Sequence, residues 1–185
     1  GITQRMLGFG RRMNPSRTEI LLNSLADQAV EMLKTEAASR NIVISKKFDP
    51  QLPVILSDPA QLEQVFINII DNAIDAIGKD GSLRIRTEAC EQGARIFFTD
   101  SGPGMDEETL KRIFDPFFTT KKVGEGTGLG LAICFTILEK LGGRIEVQSQ
   151  PGQGTTFCIT LPLEPAESPQ EEDVEEYSQH QRLSS

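Results

Sequence analysis

The chain has 185 residues, 38% of them hydrophobic, and a net charge of −8, which suits one ordinary domain with a core and short appendages. It contains no apolar run of about 18 residues to span a membrane, and its N-terminus lacks the basic, apolar, small-residue order of a signal peptide. Residues 164–185 carry seven acids against Arg182, residues 1–17 carry four arginines and no acid, and the body between them stays acidic, which argues against a nucleic-acid binder. An anionic ligand must therefore be held by placed groups, backbone amides or a metal rather than by a general positive field.

In chain order, Ile2, Met6, Phe9 and Met13 form the seam of a short packed helix that looks like the cut end of a longer coiled one. A short apolar run from Ile20 to Leu22 follows Asn14-Pro15. Asn23 is then placed to cap a helix with apolar positions Leu25, Ala29, Val30, Leu33 and Ala37. "IVISKKF" reads as a strand and "DPQLPVILSDP" as loop. Asp58-Pro59-Ala60-Gln61 is a strong helix start, and Gly78 stops that helix after Ile77. "SLRIRTEA" and "RIFFTD" read as a hairpin leading into "DSGPGM", with a short helix over 106–113. The loop "FDPFFTTKKVGEGTGLG" precedes a second amphipathic helix that runs to Leu141 and ends at Gly142-Gly143, and "RIEVQS" and "TTFCITLP" form a closing hairpin. From Glu164 onward the composition predicts disorder. Hairpins interspersed with helices predict an α+β fold, an antiparallel or mixed sheet with helices on one face. Cys90, Cys134 and Cys158 lack metal-like spacing and read as reduced, so a cytoplasmic compartment is expected. The sole histidine, His180, sits in the acidic tail.

Three stretches carry candidate chemistry. In "NIIDNAIDAI" the apolar positions fill one face, while Asn68, Asp71, Asn72 and Asp75 share the other. That face is either solvated or a ligand surface. Two asparagines one turn apart favour the second, because asparagine is a poor helix former and its amide oxygen is a good hard ligand for Mg2+. "TDSGPGM" is either a plain turn or a buried Asp100 set to accept from an amino group, with glycines letting a flat ligand approach. "GEGTGLGLAI" fits neither a Rossmann fingerprint nor a P-loop. It is still a glycine-rich loop opening a helix, where free amides favour phosphate.

"QVFINIIDNAIDAI", "DSGPGM", "IFDPFFTTK", "GEGTGLGLAI" and "GQGTTF" resemble, in order, the N, G1, F, G2 and G3 boxes of the ATP-binding domain of sensor histidine kinases. That domain belongs to the GHKL superfamily, which includes gyrase, mismatch-repair and heat-shock chaperone ATPases. The resemblance covers roughly residues 18–163. It implies the Bergerat fold, a two-layer α/β sandwich in which a mixed, mainly antiparallel sheet packs on about three helices.

The resemblance further implies that Asn72 coordinates Mg2+ on ATP, with Asn68 near the same phosphates. Asp100 would bind the adenine amino group, with Gly102, Gly104 and Met105 as pocket wall and Thr155 close to the base. Phe114, Phe117 and Phe118 would anchor a lid, mobile from about Thr119 to Gly126, to which Lys121 or Lys122 adds charge. Gly126, Thr127, Gly128, Leu129 and Gly130 would serve the phosphates at the helix start. Many relatives carry a lysine or arginine where this chain has Asp75. The superfamily's ATPases place a glutamate one turn before the metal-binding asparagine to activate water. Here that position is Asn68, which has no useful basicity.

The expectation is therefore a kinase domain that phosphorylates a histidine on a dimerisation domain outside this chain, for relay to a response-regulator receiver domain. Residues 1–17 would be the last turns and linker of that helical domain, 18–163 the ATP-binding domain, and 164–185 a solvated tail. The parent would be a homodimer, cytoplasmic or anchored at the inner membrane, with no nucleic acid and no membrane contact by this part. No catalytic residue is identified within the chain, since His180 is not the acceptor. The alternatives are an ATP-hydrolysing conformational switch and a non-catalytic nucleotide-binding module.

Overall fold

The computed structural model describes residues 17–121 and 127–164. The predicted ends of the chain, at residues 1–16 and 165–185, lie outside the described residues, as does the centre of the expected lid. The strands are β1 (Thr18–Ile20), β2 (Ile42–Lys47), β3 (Ile55–Ser57), β4 (Gly81–Cys90), β5 (Gly93–Asp100), β6 (Arg144–Ser149) and β7 (Thr155–Pro162). The helices are α1 (Leu22–Ser39), α2 (Pro59–Ile77), α3 (Glu107–Leu110) and α4 (Gly130–Lys140).

Five strands form one sheet in the order β2-β4-β5-β7-β6. β2 and β4 are parallel, as a crossover through α2 allows, and the other neighbours are antiparallel. This is the mixed, mainly antiparallel sheet expected, with α1, α2 and α4 on one face. Its other face is polar and charged. There the Arg86 guanidinium lies 3.9 Å from the centre of the Phe97 ring.

The core lies between sheet and helices. Leu62, Phe66, Ile69, Ile70 and Ile74 repeat at helical spacing on α2 and are fully buried against Leu83, Ile85, Ile96 and Phe98, which alternate along β4 and β5. The Phe66 and Phe98 rings meet at 5.7 Å in a tilted pair. With one side of α2 committed to the core in this way, its polar side must face outward from the sheet.

Asp58 caps α2 as its sequence predicts, its Oδ1 accepting from Ala60 N at 3.0 Å and Gln61 N at 3.1 Å. Gln61 adds its own side chain, with Nε2 donating to Asp58 Oδ2 at 3.0 Å. Asp58→Ala is expected to cost about 1 kcal/mol, roughly 3 °C in melting temperature, and thermal unfolding measures it.

Two local expectations give way to tertiary contacts. Asn23 does not cap α1, which begins at Leu22 after Leu21 with no side-chain cap. Its amide instead donates to Asp49 O at 2.7 Å and accepts from the Thr87 hydroxyl at 2.8 Å, joining α1 to the β2–β3 loop and to β4. The stretch read wholly as loop after Phe48 contains β3, which pairs antiparallel with β1. Three residues are too few to show a strand period, so only the pairing reveals them.

Candidate functional site

The outward side of α2 floors a cleft of about 610 Å3. Asn68, Asp71, Asn72 and Asp75 all line it, together with the end of β5, the start of α4 and the segment from Pro103 to Lys121. The four polar positions read from the helical wheel thus form a site surface rather than a freely solvated face.

Asp100, the last residue of β5, is 5% exposed. Its Oδ1 accepts from Gly102 N at 2.8 Å and from Thr155 N at 3.2 Å, and its Oδ2 takes no hydrogen bond from the described residues. Burial raises the pKa of this carboxyl, and the two backbone donors work against that shift. A buried carboxylate with one oxygen internally held and one available can accept from an amino group of a ligand.

Strand register sets the surroundings of Asp100. Asp100 pairs with Thr155 across β5 and β7, and Thr155 pairs with Ser149 across β7 and β6. Ser149 Oγ accepts from Met105 N at 2.8 Å, donates to Gly154 O at 2.9 Å, and shares a 2.9 Å hydrogen bond with Thr155 Oγ1. Ser149 therefore ties the Met105 and Thr155 segments together. Sequence reasoning missed it because a serine at a strand end carries no signal until the register is known.

Gly104 and Met105 line the cleft, whereas Gly102 does not. A Cβ on Gly102 would come within 2.9 Å of Asp100 Oδ1 and 3.2 Å of the Ala76 carbonyl, so this glycine lets the turn pack between the carboxylate and α2.

Opposite Asp100, α4 begins at Gly130 with no side-chain cap and no acid in its first turn. Thr127, Gly128 and Gly130 line the cleft here. Leu129 does not line it. It is the residue preceding the helix, and its amide lies 3.4 Å from Thr127 Oγ1. The Asn72 amide nitrogen is 3.8 Å from where a Cβ on Gly130 would stand, so the start of α4 lies beside the asparagine of α2. An uncapped helix start beside a neutral amide is a place for anionic oxygens. Gly126 lies outside the described residues, as do Gly124 and Lys122.

The description "histidine kinase-, DNA gyrase B-, and HSP90-like ATPase" belongs to a family whose profile matches residues 57–165. Sensor histidine kinase ZraS of Escherichia coli is 42% identical over 142 residues, covering 77% of this chain and 30% of the relative. The solved catalytic domain of histidine kinase ThkA, in a nucleotide-free form, is 34% identical with a TM-score of 0.74, covering 81% of this chain and 97% of that one. ThkA solved in complex with response regulator protein TrrA is 29% identical with a TM-score of 0.75, covering 90% of this chain and 48% of that one.

The chain belongs to the histidine kinase-, DNA gyrase B- and HSP90-like ATPase family. Within that family it is an ATP-binding domain of the sensor histidine kinase type. It spans about a third of the length of the curated kinases it matches. Among the described residues no helix is long and apolar enough to cross a membrane.

The three phenylalanines of the segment before residue 122 are held unequally. Phe114 packs on Phe135 at 5.7 Å, and Phe118 lines the cleft with the Arg112 guanidinium 4.5 Å from its ring centre. Phe117, by contrast, is 75% exposed, and its backbone is the anchor: Phe117 N donates to Gly128 O at 2.9 Å. A Cβ on Gly128, at φ +64, would stand 2.5 Å from the Phe117 carbonyl carbon, so only glycine permits this approach.

Asn68 stands beside Cys134, whose thiol donates to Val65 O at 3.8 Å and is pushed up to about 11 by burial. Neither member of that pair is a base at neutral pH, so the position one turn before Asn72 holds no group to activate water. Asp75 gains the partners that sequence reasoning could not assign. It accepts from Lys121 Nζ, and from Arg40 Nη1 at 3.0 Å. Burial would raise its pKa, but Lys121 and then Arg40 outweigh that and hold it below the usual carboxylate range. Asp71 next to it is raised by burial and by the charges of Asp75 and Glu36.

Proposed function

We propose that this domain binds Mg-ATP in the cleft and donates the γ-phosphoryl group to a histidine on a helical dimerisation domain outside this chain. One observation carries the reading. The two α2 asparagines, the half-satisfied Asp100 carboxylate and the uncapped start of α4 face a single cleft.

The donor set fits a Mg-nucleotide. The Asn72 amide makes no hydrogen bond with other described residues and stands at the uncapped helix start, where oxygen ligands of phosphate would complete the shell Mg2+ prefers. Among the described residues no cluster of three or more histidines, cysteines or acids is placed to hold a metal alone. Asn72 would hold Mg2+, which neutralises charge on the β- and γ-phosphates.

Asp100 Oδ2 accepts from the adenine amino group, Thr155 stands beside the base, and Gly104 and Met105 wall the pocket. Asn68 and the amides of Thr127, Gly128 and Gly130 orient the phosphates, with Lys121 as the cation. The N–P bond to the acceptor histidine forms as the bond from phosphorus to the leaving oxygen of ADP breaks. Asn68 withholds activation of water, which leaves the γ-phosphoryl group to that acceptor.

On this reading residues 18–163 form the ATP-binding domain. The parent is a cytoplasm-facing homodimer that relays phosphate to a response-regulator receiver domain. The test is incubation of the chain with γ-labelled Mg-ATP, alone and with a protein carrying the missing helical hairpin. Acid-labile label on the hairpin with little free phosphate is expected. Steady phosphate release well above the no-protein control would favour the hydrolytic switch instead.

A further inference from the structure

Among the described residues lining the cleft, Lys121 is the sole cation, facing the carboxylates Asp71, Asp75 and Asp100. An acid at position 75 is unexpected beside a polyphosphate, because its bare charge repels the ligand. The geometry points to a positioning role: Asp75 holds Lys121 at the mouth of the cleft, so that the ammonium stands ready for the phosphates.

Three observations build this role, which rests on the nucleotide reading above. Asp75 lies three residues after Asn72 on the same face of α2 and accepts from Lys121 Nζ. Its second partner, Arg40 Nη1 at 3.0 Å, comes from the end of α1 and is itself held by Glu36 at 2.6 Å. The Lys121 and Asp75 side chains are 33% and 27% exposed, so the pair is sheltered by the cleft rather than fully in solvent. Glu36, Arg40, Asp75 and Lys121 thus form one chain of ion pairs from the end of α1 to the segment before residue 122.

A free lysine loses most of its rotamer freedom when it engages phosphate. A lysine already drawn to the cleft by Asp75 loses less, and Arg40 fixes Asp75 from the opposite side. The cation of the cleft is in this way brought from the segment before residue 122 by an acid on α2.

The sign of one substitution separates positioning from simple electrostatics. Mg-ATP affinity is measured by calorimetry for the wild-type chain, Asp75→Asn, Asp75→Glu, Lys121→Ala and the Asp75→Asn/Lys121→Ala double variant. Positioning predicts that Asp75→Asn weakens binding about threefold, the scale of one partly exposed ion pair. It also predicts that Asp75→Glu restores most of the loss, and that Asp75→Asn adds little once Lys121 is gone. Tighter binding by Asp75→Asn, or an equal loss with and without Lys121, would overturn the role. Failure of the wild-type chain to bind Mg-ATP would instead overturn the nucleotide reading, and the role of Asp75 with it.

Discussion

Asp100→Asn is expected to weaken ATP binding by roughly 100-fold or more while leaving the melting temperature unchanged or raised. The asparagine Oδ1 can keep both internal hydrogen bonds, from Gly102 N at 2.8 Å and Thr155 N at 3.2 Å, so the turn after β5 stays in place. What changes is the other atom. An accepting oxygen becomes a donating amide nitrogen, and two donors then face each other where the proposed adenine amino group lies. A buried polar group left unpaired costs far more than an added contact yields, which is why the effect is large. Stability moves the opposite way, because burial already penalises the charge on Asp100 and raises its pKa. A purine nucleotide bearing a carbonyl in place of the amino group should recover part of the lost affinity. Calorimetric binding paired with thermal unfolding checks all three outcomes, and equal ATP affinity in the variant would sink the role given to Asp100.

Gly154→Ala is expected to destabilise the domain by about 3 kcal/mol, through a left-handed backbone combined with a steric clash. Gly154 has φ +77, and a Cβ there would stand 2.0 Å from Asp100 O, far inside any real contact. Relief requires β7 to move away from β5 at the point where Thr155 N meets Asp100 and Ser149 Oγ meets Gly154 O. Nucleotide affinity should therefore fall together with stability. Gly152→Ala is the matched control, because its φ is +78 with nothing within 4 Å of the added Cβ. It keeps only the backbone strain, about 1 kcal/mol. Urea unfolding of the two variants side by side reads the difference, and similar losses at both positions would mean that the clash at Gly154 is relieved cheaply.

The elements and the site were legible to different depths. α2 was readable from Asp58 to Gly78 because both signals act within a turn of the residues they mark: a carboxylate over two amides at one end, and a glycine at φ +73 at the other. The stripe from Val65 to Ile74 told which side would be buried, and so which side Asn68 and Asn72 would offer to a ligand. Asn23 shows the limit of the same rules. Its type suits a cap, but a threonine 64 residues away offers a partner that no window of sequence contains. Phe114, Phe117 and Phe118 were all read as ring anchors, yet Phe117 is held through its backbone while its ring points out, a distinction that residue type does not carry.

By itself the sequence determined the α+β order of elements, the amphipathic helices and the residue types of a nucleotide cleft, since spacing, caps and turn chemistry act over a few residues. The tertiary structure alone decided which polar groups became partners. It set Asp100, Thr155 and Ser149 side by side at one end of three strands through register. It also gave Asp75 an arginine 35 residues away and a lysine 46 residues away. Apolar patterns survive as local signals because burial is non-directional and repeats along an element. A hydrogen bond or ion pair needs two particular atoms brought together, and only the packing of distant elements does that.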